Sequence, residues 1–158
     1  MLPIVRVPYV LCITGLCVIS LQAGTEAGHR QPGVLSVEAG RTEFEDRCAA
    51  CHQFEGRVRE APPLAGSAWV TGPESRLIRI VLHGVRGEME VAGRTYNREM
   101  PGFGPVLSDE EVAAVLTFVR KRFGGLTTPI RPPTVTAIRA AHEGRASYWT
   151  VDELLDIP

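Results

Sequence analysis

Lysine is almost absent from this sequence: Lys121 is the single lysine among 17 basic residues, and the formal net charge is −1. Proteins that bind nucleic acid carry a basic patch or stripe, and no such cluster is visible along the chain. The composition therefore excludes nucleic acid as an expected partner. The chain has 158 residues, of which 44% are hydrophobic and 22% charged. These values are typical of one folded domain with a hydrophobic core.

A long hydrophobic run is also missing. The uncharged apolar stretch VPYVLCITGLCVISL is shorter than the ~20 residues that a membrane-spanning helix requires. Arg6 precedes it and small or polar residues follow it, which is typical of a signal peptide. We therefore predict a signal peptide over residues 1–27, with cleavage after Ala23 or Ala27, and an exported, periplasmic protein. If the segment is retained, it would act as an anchor, and the protein could then associate peripherally with a membrane.

Cysteines are few, and their positions limit their use. Two of the four, Cys12 and Cys17, lie in the predicted signal peptide, so the mature chain keeps Cys48 and Cys51. A disulfide-stabilised secreted domain needs several cysteines spread along the chain. Here the two thiols are separated by two residues and are followed directly by His52. The pair is therefore expected to have a local chemical task.

Most apolar residues recur with the period of an α-helix. Gly40, Phe44 and Cys48 follow one another at intervals of four, and Ser108 with Glu111 forms a capping-box pattern before a long apolar stripe. The spacing predicts a helix that ends near Cys48 and further helices over residues 73–83, 108–123 and 134–142, with another starting at Thr150. The predicted fold class is all-α: a domain over residues 34–124, then a proline-rich linker and helical tail over residues 125–158.

Three kinds of site use the motif CAACH. A structural zinc site needs four ligands, usually from two pairs, and the other histidines (His29, His83 and His142) show no ligand spacing. A thioredoxin-like pair would start a helix within alternating strands and helices, whereas this pair follows a helix. Covalent haem attachment uses all three residues: each thiol bonds a vinyl group, and His52 ligates the iron. The motif therefore favours haem c bound through Cys48, Cys51 and His52.

With these pieces the domain is identified as a member of a known family. Residues 37–123 resemble a class I cytochrome c, through GRTEFEDRCAACH, the PPL loop, LIRIVLHG, YNREMPGFG and LSDEEVAAVLTFVR. The resemblance implies one covalent haem surrounded by about three main helices. It also implies that the Pro62 carbonyl accepts a hydrogen bond from His52 and that Leu64 lines the haem pocket. Gly40, Phe44 and Phe118 would be packing residues.

Three residues are candidates for the second axial ligand. In the family it is a methionine that precedes the last helix and is commonly followed by proline, and Met100-Pro101 fits this context. Met89 and His83 are the alternatives, and a histidine at a helix end is more often a cap. Trp69, Tyr96 and Asn97 are either partners of the haem propionates or ordinary loop and core residues.

The resemblance implies an electron carrier rather than an enzyme. Its expected partners are redox proteins: a dehydrogenase, a terminal oxidase or another cytochrome. One alternative is a haem-bearing subunit of an exported dehydrogenase, in which the tail with Trp149, Leu154 and Leu155 docks on the enzyme. The tail could instead pack back on its own domain. A second alternative is a haem enzyme or sensor with an open iron site, although the sequence offers no evident distal acid or base.

Overall fold

A computed structural model describes residues 37–52 and 61–158 of the chain. The described residues belong to one unit, Gly33–Pro158. The predicted signal peptide over residues 1–27 lies outside them. None of the helices within the described ranges is long and apolar enough to cross a membrane.

Helices dominate the described residues, which confirms the predicted fold class. They are α1 (Val37–Arg47), α2 (Ala68–Thr71), α3 (Glu74–His83), α4 (Asp109–Gly124), α5 (Pro132–Ala141) and α6 (Val151–Leu155). Short strands, which the sequence did not predict, lie between them: β1 (Gly84–Arg86), β2 (Met89–Val91), β3 (Arg94–Tyr96), β4 (Met100–Pro101) and β5 (Trp149–Thr150). Helix α5 begins earlier than predicted because proline is tolerated in the first helical turn.

The long helix α4 has the ends that its sequence predicts. The Ser108 hydroxyl accepts a hydrogen bond from the Glu111 N–H at 3.2 Å, and the Glu111 carboxylate accepts one from the Ser108 N–H at 2.8 Å. At the other end Gly125 adopts a left-handed conformation with φ of 67°. Glycine reaches that conformation without steric cost, so the helix stops there.

Helices α1 and α4 cross with little space between their backbones. Gly40 lies against the backbone of Ala114, where a side chain would overlap the carbonyl group. One turn further, Phe44 is fully buried, and its ring centroid lies 5.5 Å from those of Phe118 and Phe123. This contact confirms the packing role expected for Gly40, Phe44 and Phe118, and it holds the end of α1 close to the core.

The described residues contain two small sheets, and the first of them connects the middle of the chain to the tail. In the first, β1 pairs antiparallel with β4, so that Val85 lies opposite Met100, and parallel with β5, so that Val85 also lies opposite Trp149. In the second, β2 and β3 form a hairpin around Ala92 and Gly93, both of which have positive φ. The segment that carries Met100 is therefore one edge of a sheet whose other edge belongs to the tail.

The tail packs back on the unit, which was one of the two arrangements expected for it. Ile130, Val135 and Leu154 are essentially inaccessible to solvent. The N–H of Ile130 donates to the Thr117 hydroxyl of α4 at 3.0 Å, which fixes the linker where it leaves that helix. Leu155, in contrast, remains 54% exposed.

Candidate haem-binding site

A largely apolar cavity of about 440 Å³ lies beside the CAACH segment. Its walls come from the end of α1, the loop before α2, helices α3 and α4, the β2–β3 hairpin and β4. The volume is within the ~300–1,000 Å³ of typical cofactor and ligand pockets. All six residues predicted for the site line this one cavity: Cys48, Cys51, His52, Pro62, Leu64 and Met100.

The two cysteines are brought to the cavity by a turn that continues α1. The N–H of Cys48 donates to the Phe44 carbonyl at 2.9 Å, and the N–H groups of Cys51 and His52 donate to the Cys48 carbonyl at 3.1 and 2.8 Å. The two cysteines do not form a disulfide with each other. Burial raises the pKa of Cys48 to about 11, so this thiol is protonated at neutral pH, whereas Cys51 is exposed. The turn thus presents two thiols and an imidazole to one apolar space.

His52 is held in a defined orientation. Its Nδ1 lies 3.2 Å from the Pro62 carbonyl oxygen, and because a carbonyl can only accept, Nδ1 must carry the proton. The other ring nitrogen, Nε2, is then the unprotonated one and can ligate a metal. Burial lowers the pKa of His52, and the bond to Pro62 acts in the opposite direction. The neutral ring is the form that binds iron.

Two methionines line the cavity, so its shape alone does not select the second ligand. Met100 lies in β4 and is partly buried, in contact with both hydrophobic clusters of the unit. Met89 lies in β2 and is 9% exposed. Met100 still has the sequence context expected of the ligand, since Pro101 follows it and α4 begins shortly afterwards.

His83 is not brought to this cavity. It ends α3, and its Nδ1 lies 3.3 Å from the Arg145 carbonyl oxygen in the tail. Its Nε2 is buried and has no hydrogen-bond partner within the described part of the chain. The placement of His83 away from Cys48 and His52 does not support ligation by two histidines.

Sequence reasoning missed much of the cavity wall. Trp69 and Tyr96 do line it, but Asn97 is exposed and is not part of the lining. Val85 and Val91 were not predicted to contribute. The alternation in MEV and RTY around an Ala-Gly turn was the available signal for this hairpin, although segments of three residues are too short for it to stand out.

The chemistry of the lining fits haem. Two thiols and a ring with a free nitrogen occupy one end of an apolar space, which is what covalent attachment and axial ligation of the iron require. Within residues 37–52 and 61–158, no three His, Cys, Asp or Glu side chains are grouped so that they could hold a metal ion by themselves.

Comparison with known proteins identifies the family. Residues 36–119 match the family described as cytochrome c oxidase, cbb3-type, subunit III. This match covers more than half of the chain, which therefore belongs to that cytochrome c family. Members of the family hold haem c and transfer electrons to and from redox proteins, and bacterial members are usually exported.

Individual relatives agree with this assignment. The chain is 36% identical over 98 residues to cytochrome c-552 of Thermus thermophilus, an alignment that covers 58% of this chain and 66% of the relative. It is 34% identical over 128 residues to the gluconate 2-dehydrogenase cytochrome c subunit of Pantoea cypripedii, covering 73% and 28%. It is 36% identical over 103 residues to the cytochrome c subunit of the quinone alcohol dehydrogenase of Gluconobacter oxydans, covering 63% and 20%. The chain thus spans less than two thirds of the length of these relatives.

Proposed function

We propose that this chain is an exported c-type cytochrome with one haem, bonded to Cys48 and Cys51 and ligated by His52 and Met100, that passes single electrons between redox proteins. The observation that carries the proposal is the convergence of these four residues, with Pro62 and Leu64, on one apolar cavity. The three reactive residues of the CAACH motif, Cys48, Cys51 and His52, all line this cavity.

The chain's own residues determine what the site can do. When bound, haem iron supplies one-electron exchange between its ferrous and ferric states. Cys48 and Cys51 fix the group to the end of α1, and Pro62 holds the His52 ring in the tautomer that ligates. The apolar side chains Leu64, Leu116 and Val119 keep water out. Ala50 and Cys51 are exposed, and we place the route for electrons at this edge.

Export and the domain boundaries are part of the same proposal. The signal peptide would occupy residues 1–27, the cytochrome domain residues 34–124, and the linker and tail residues 125–158. Haem c is attached outside the cytoplasm in bacteria, so export is required for the site to be filled. The mass of the mature protein isolated from the periplasm would reveal cleavage after Ala23 or Ala27, or an intact amino terminus.

Covalent attachment is tested by counting thiols and haem in the same sample. Mature protein unfolded in guanidinium should show no free thiol, one iron per chain, and haem that stays with the polypeptide after acid–acetone extraction. Cys51→Ser should leave haem attached through a single bond, while the matched exposed substitution Ser147→Ala should change nothing. Two reactive thiols in unfolded wild-type protein whose mass shows that residues 1–23 or 1–27 have been removed would contradict the proposal.

A second function is favoured by the relatives. Several of them are named as cytochrome subunits of dehydrogenases, so this chain could serve as the redox subunit of such an enzyme. Purification from its native cell envelope without affinity tags distinguishes the two functions. A freely diffusing carrier elutes as a species of about its own mass, whereas a subunit elutes together with a dehydrogenase.

A further inference from the structure

The segment that carries Met100 has little regular structure of its own. Residues 100–107 are here called the Met100 loop. They begin with the two-residue strand β4 and lead to Ser108, the cap of α4. The loop is attached to α3 through backbone bonds from Phe103 to the Val81 carbonyl at 2.8 Å and from Gly104 to the Leu82 carbonyl at 3.0 Å. The position of the methionine therefore depends on what holds this loop from outside.

One side chain of the tail holds the loop at two places. Arg139, in α5, donates from one terminal nitrogen to the Gly104 carbonyl at 2.7 Å and from the other to the Leu107 carbonyl at 2.8 Å. Its Nε donates to the Asp109 carboxylate at 2.7 Å. A guanidinium has a planar fork of donors that suits several acceptors at once, and a lysine ammonium does not have this geometry.

The carboxylate partner strengthens this arrangement. Asp109 also accepts a hydrogen bond from the Thr136 hydroxyl of α5. Although burial raises the pKa of Asp109, the bonds from Thr136 and Arg139 outweigh it and lower the pKa below its ordinary value. Asp109 is the first residue of α4, so the guanidinium ties the Met100 loop to the start of that helix.

The other end of the loop is connected to the tail indirectly, through β1, which pairs with β4 on one side and with β5 on the other. Trp149 of β5 lies opposite Val85 of β1, and Val85 lies opposite Met100 of β4. The direct bonds from the tail to the loop are therefore those of Arg139 at Gly104 and Leu107, while β5 stabilises the strand β1 that pairs with Met100.

We propose that Arg139 is a positioning residue for Met100: by holding the carbonyls of Gly104 and Leu107 it keeps the methionine sulfur at the iron. The inference rests on the proposed function, because it requires Met100 to be the second ligand. Loss of the guanidinium removes the side-chain donor to the Gly104 and Leu107 carbonyls and leaves the Asp109 carboxylate with Thr136 as its donor from α5. This change favours loop conformations with the methionine away from the iron.

Binding of carbon monoxide to the reduced protein measures this equilibrium, because the gas binds only where the methionine has left. The apparent affinity for carbon monoxide is proportional to the population of that state. Loss of hydrogen bonds from a charged group changes the population of a state in which they are broken by about tenfold. Arg139→Gln should therefore raise the apparent affinity about tenfold and weaken the far-red sulfur-to-iron absorption band. Arg139→Lys keeps the charge but not the fork of donors, so its apparent affinity for carbon monoxide should lie between those of the wild type and Arg139→Gln. This variant provides the test if Arg139→Gln does not accumulate.

A matched control separates positioning from simple loss of stability. Thr117→Val removes the hydroxyl that accepts the hydrogen bond from the Ile130 N–H, a bond that involves no residue of the Met100 loop. It should lower resistance to guanidinium but leave carbon monoxide affinity and the far-red band as in the wild type. If the Arg139 variants change stability alone, as Thr117→Val does, the positioning role is wrong while Met100 ligation stands. If the wild-type protein itself lacks the band and binds carbon monoxide freely, the proposed ligation fails, and the inference fails with it.

Discussion

Gly40 of α1 lies directly against the backbone of Ala114 of α4, so that the space that a Cβ of Gly40 would need is filled by the Ala114 carbonyl. The contact determines how near the end of α1, with Cys48 and His52, lies to the wall that α4 supplies. The cavity therefore requires glycine at position 40 for its shape, although Gly40 does not line it.

Gly40→Ala tests this contact. Alanine favours a helix over glycine by about 1 kcal/mol, yet overpacking a tight interface costs about 1–3 kcal/mol. We expect a net loss of stability in guanidinium unfolding and a lower yield of haem-loaded protein. Asp46→Ala, on the exposed side of α1, should change stability by less than about 0.5 kcal/mol. A Gly40→Ala protein as stable as the wild type would contradict the close crossing.

The capping box of α4 gives a second prediction. Ser108→Ala removes the hydroxyl that accepts from the Glu111 N–H and should reduce the free energy of unfolding by about 1 kcal/mol. Glu111→Gln keeps an oxygen for the Ser108 N–H and should cost less. Chemical denaturation of the three haem-loaded proteins checks the order. Equal losses in the two variants would contradict this order and would mean that the negative charge of Glu111 contributes as much as the Ser108 hydroxyl.

The histidines between α3 and the tail predict a dependence of stability on pH. Burial lowers the pKa of His83, and the positive charges of Arg145, Arg139 and Arg79 lower it further. The hydrogen bond to the Arg145 carbonyl acts in the opposite direction. Burial and the charges of Arg79, His83 and Arg145 also lower the pKa of His142. The Arg79 Nε donates to His142 Nε2 at 3.1 Å, which requires a neutral ring.

Because both folded-state pKa values are below the ordinary one, the unfolded chain takes up protons first as the pH falls. The stability that these rings contribute is complete above about pH 6.5 and is lost as the pH falls through their folded-state pKa values. His142→Gln should flatten the stability profile below about pH 6.5. Guanidinium midpoints of the haem-loaded protein across that range provide the measurement. A variant profile parallel to that of the wild type would show that His142 does not titrate with unfolding.

The helices were predictable because their signals are local. Ser108, Glu111 and Gly125 specify both ends of α4 within the helix itself, and CAACH identified the cofactor within five residues. Strands β4 and β5 have two residues each and pair through β1, so their partners lie far away along the chain. Such short segments carry no period that a sequence could reveal.

The cavity was predictable only in part, for the same reason. The residues with distinctive chemistry were found from spacing and from the family resemblance. Val85 and Val91 complete the wall only after β1 and the hairpin pack with Ile80 of α3, and nothing local distinguishes them from other apolar residues. The three contacts of Arg139 likewise depend on how the tail packs.

The central claim concerns the second ligand, and the two cavity methionines allow a matched test. Visible spectra of the oxidised, reduced and carbon monoxide-treated reduced forms would be compared for the wild type, Met100→Leu and Met89→Leu. We predict that the wild type and Met89→Leu show the far-red sulfur-to-iron band and resist carbon monoxide, whereas Met100→Leu loses the band and binds the gas readily. A wild-type protein without the band that binds carbon monoxide would contradict the account and would favour a haem enzyme or sensor with an open iron site.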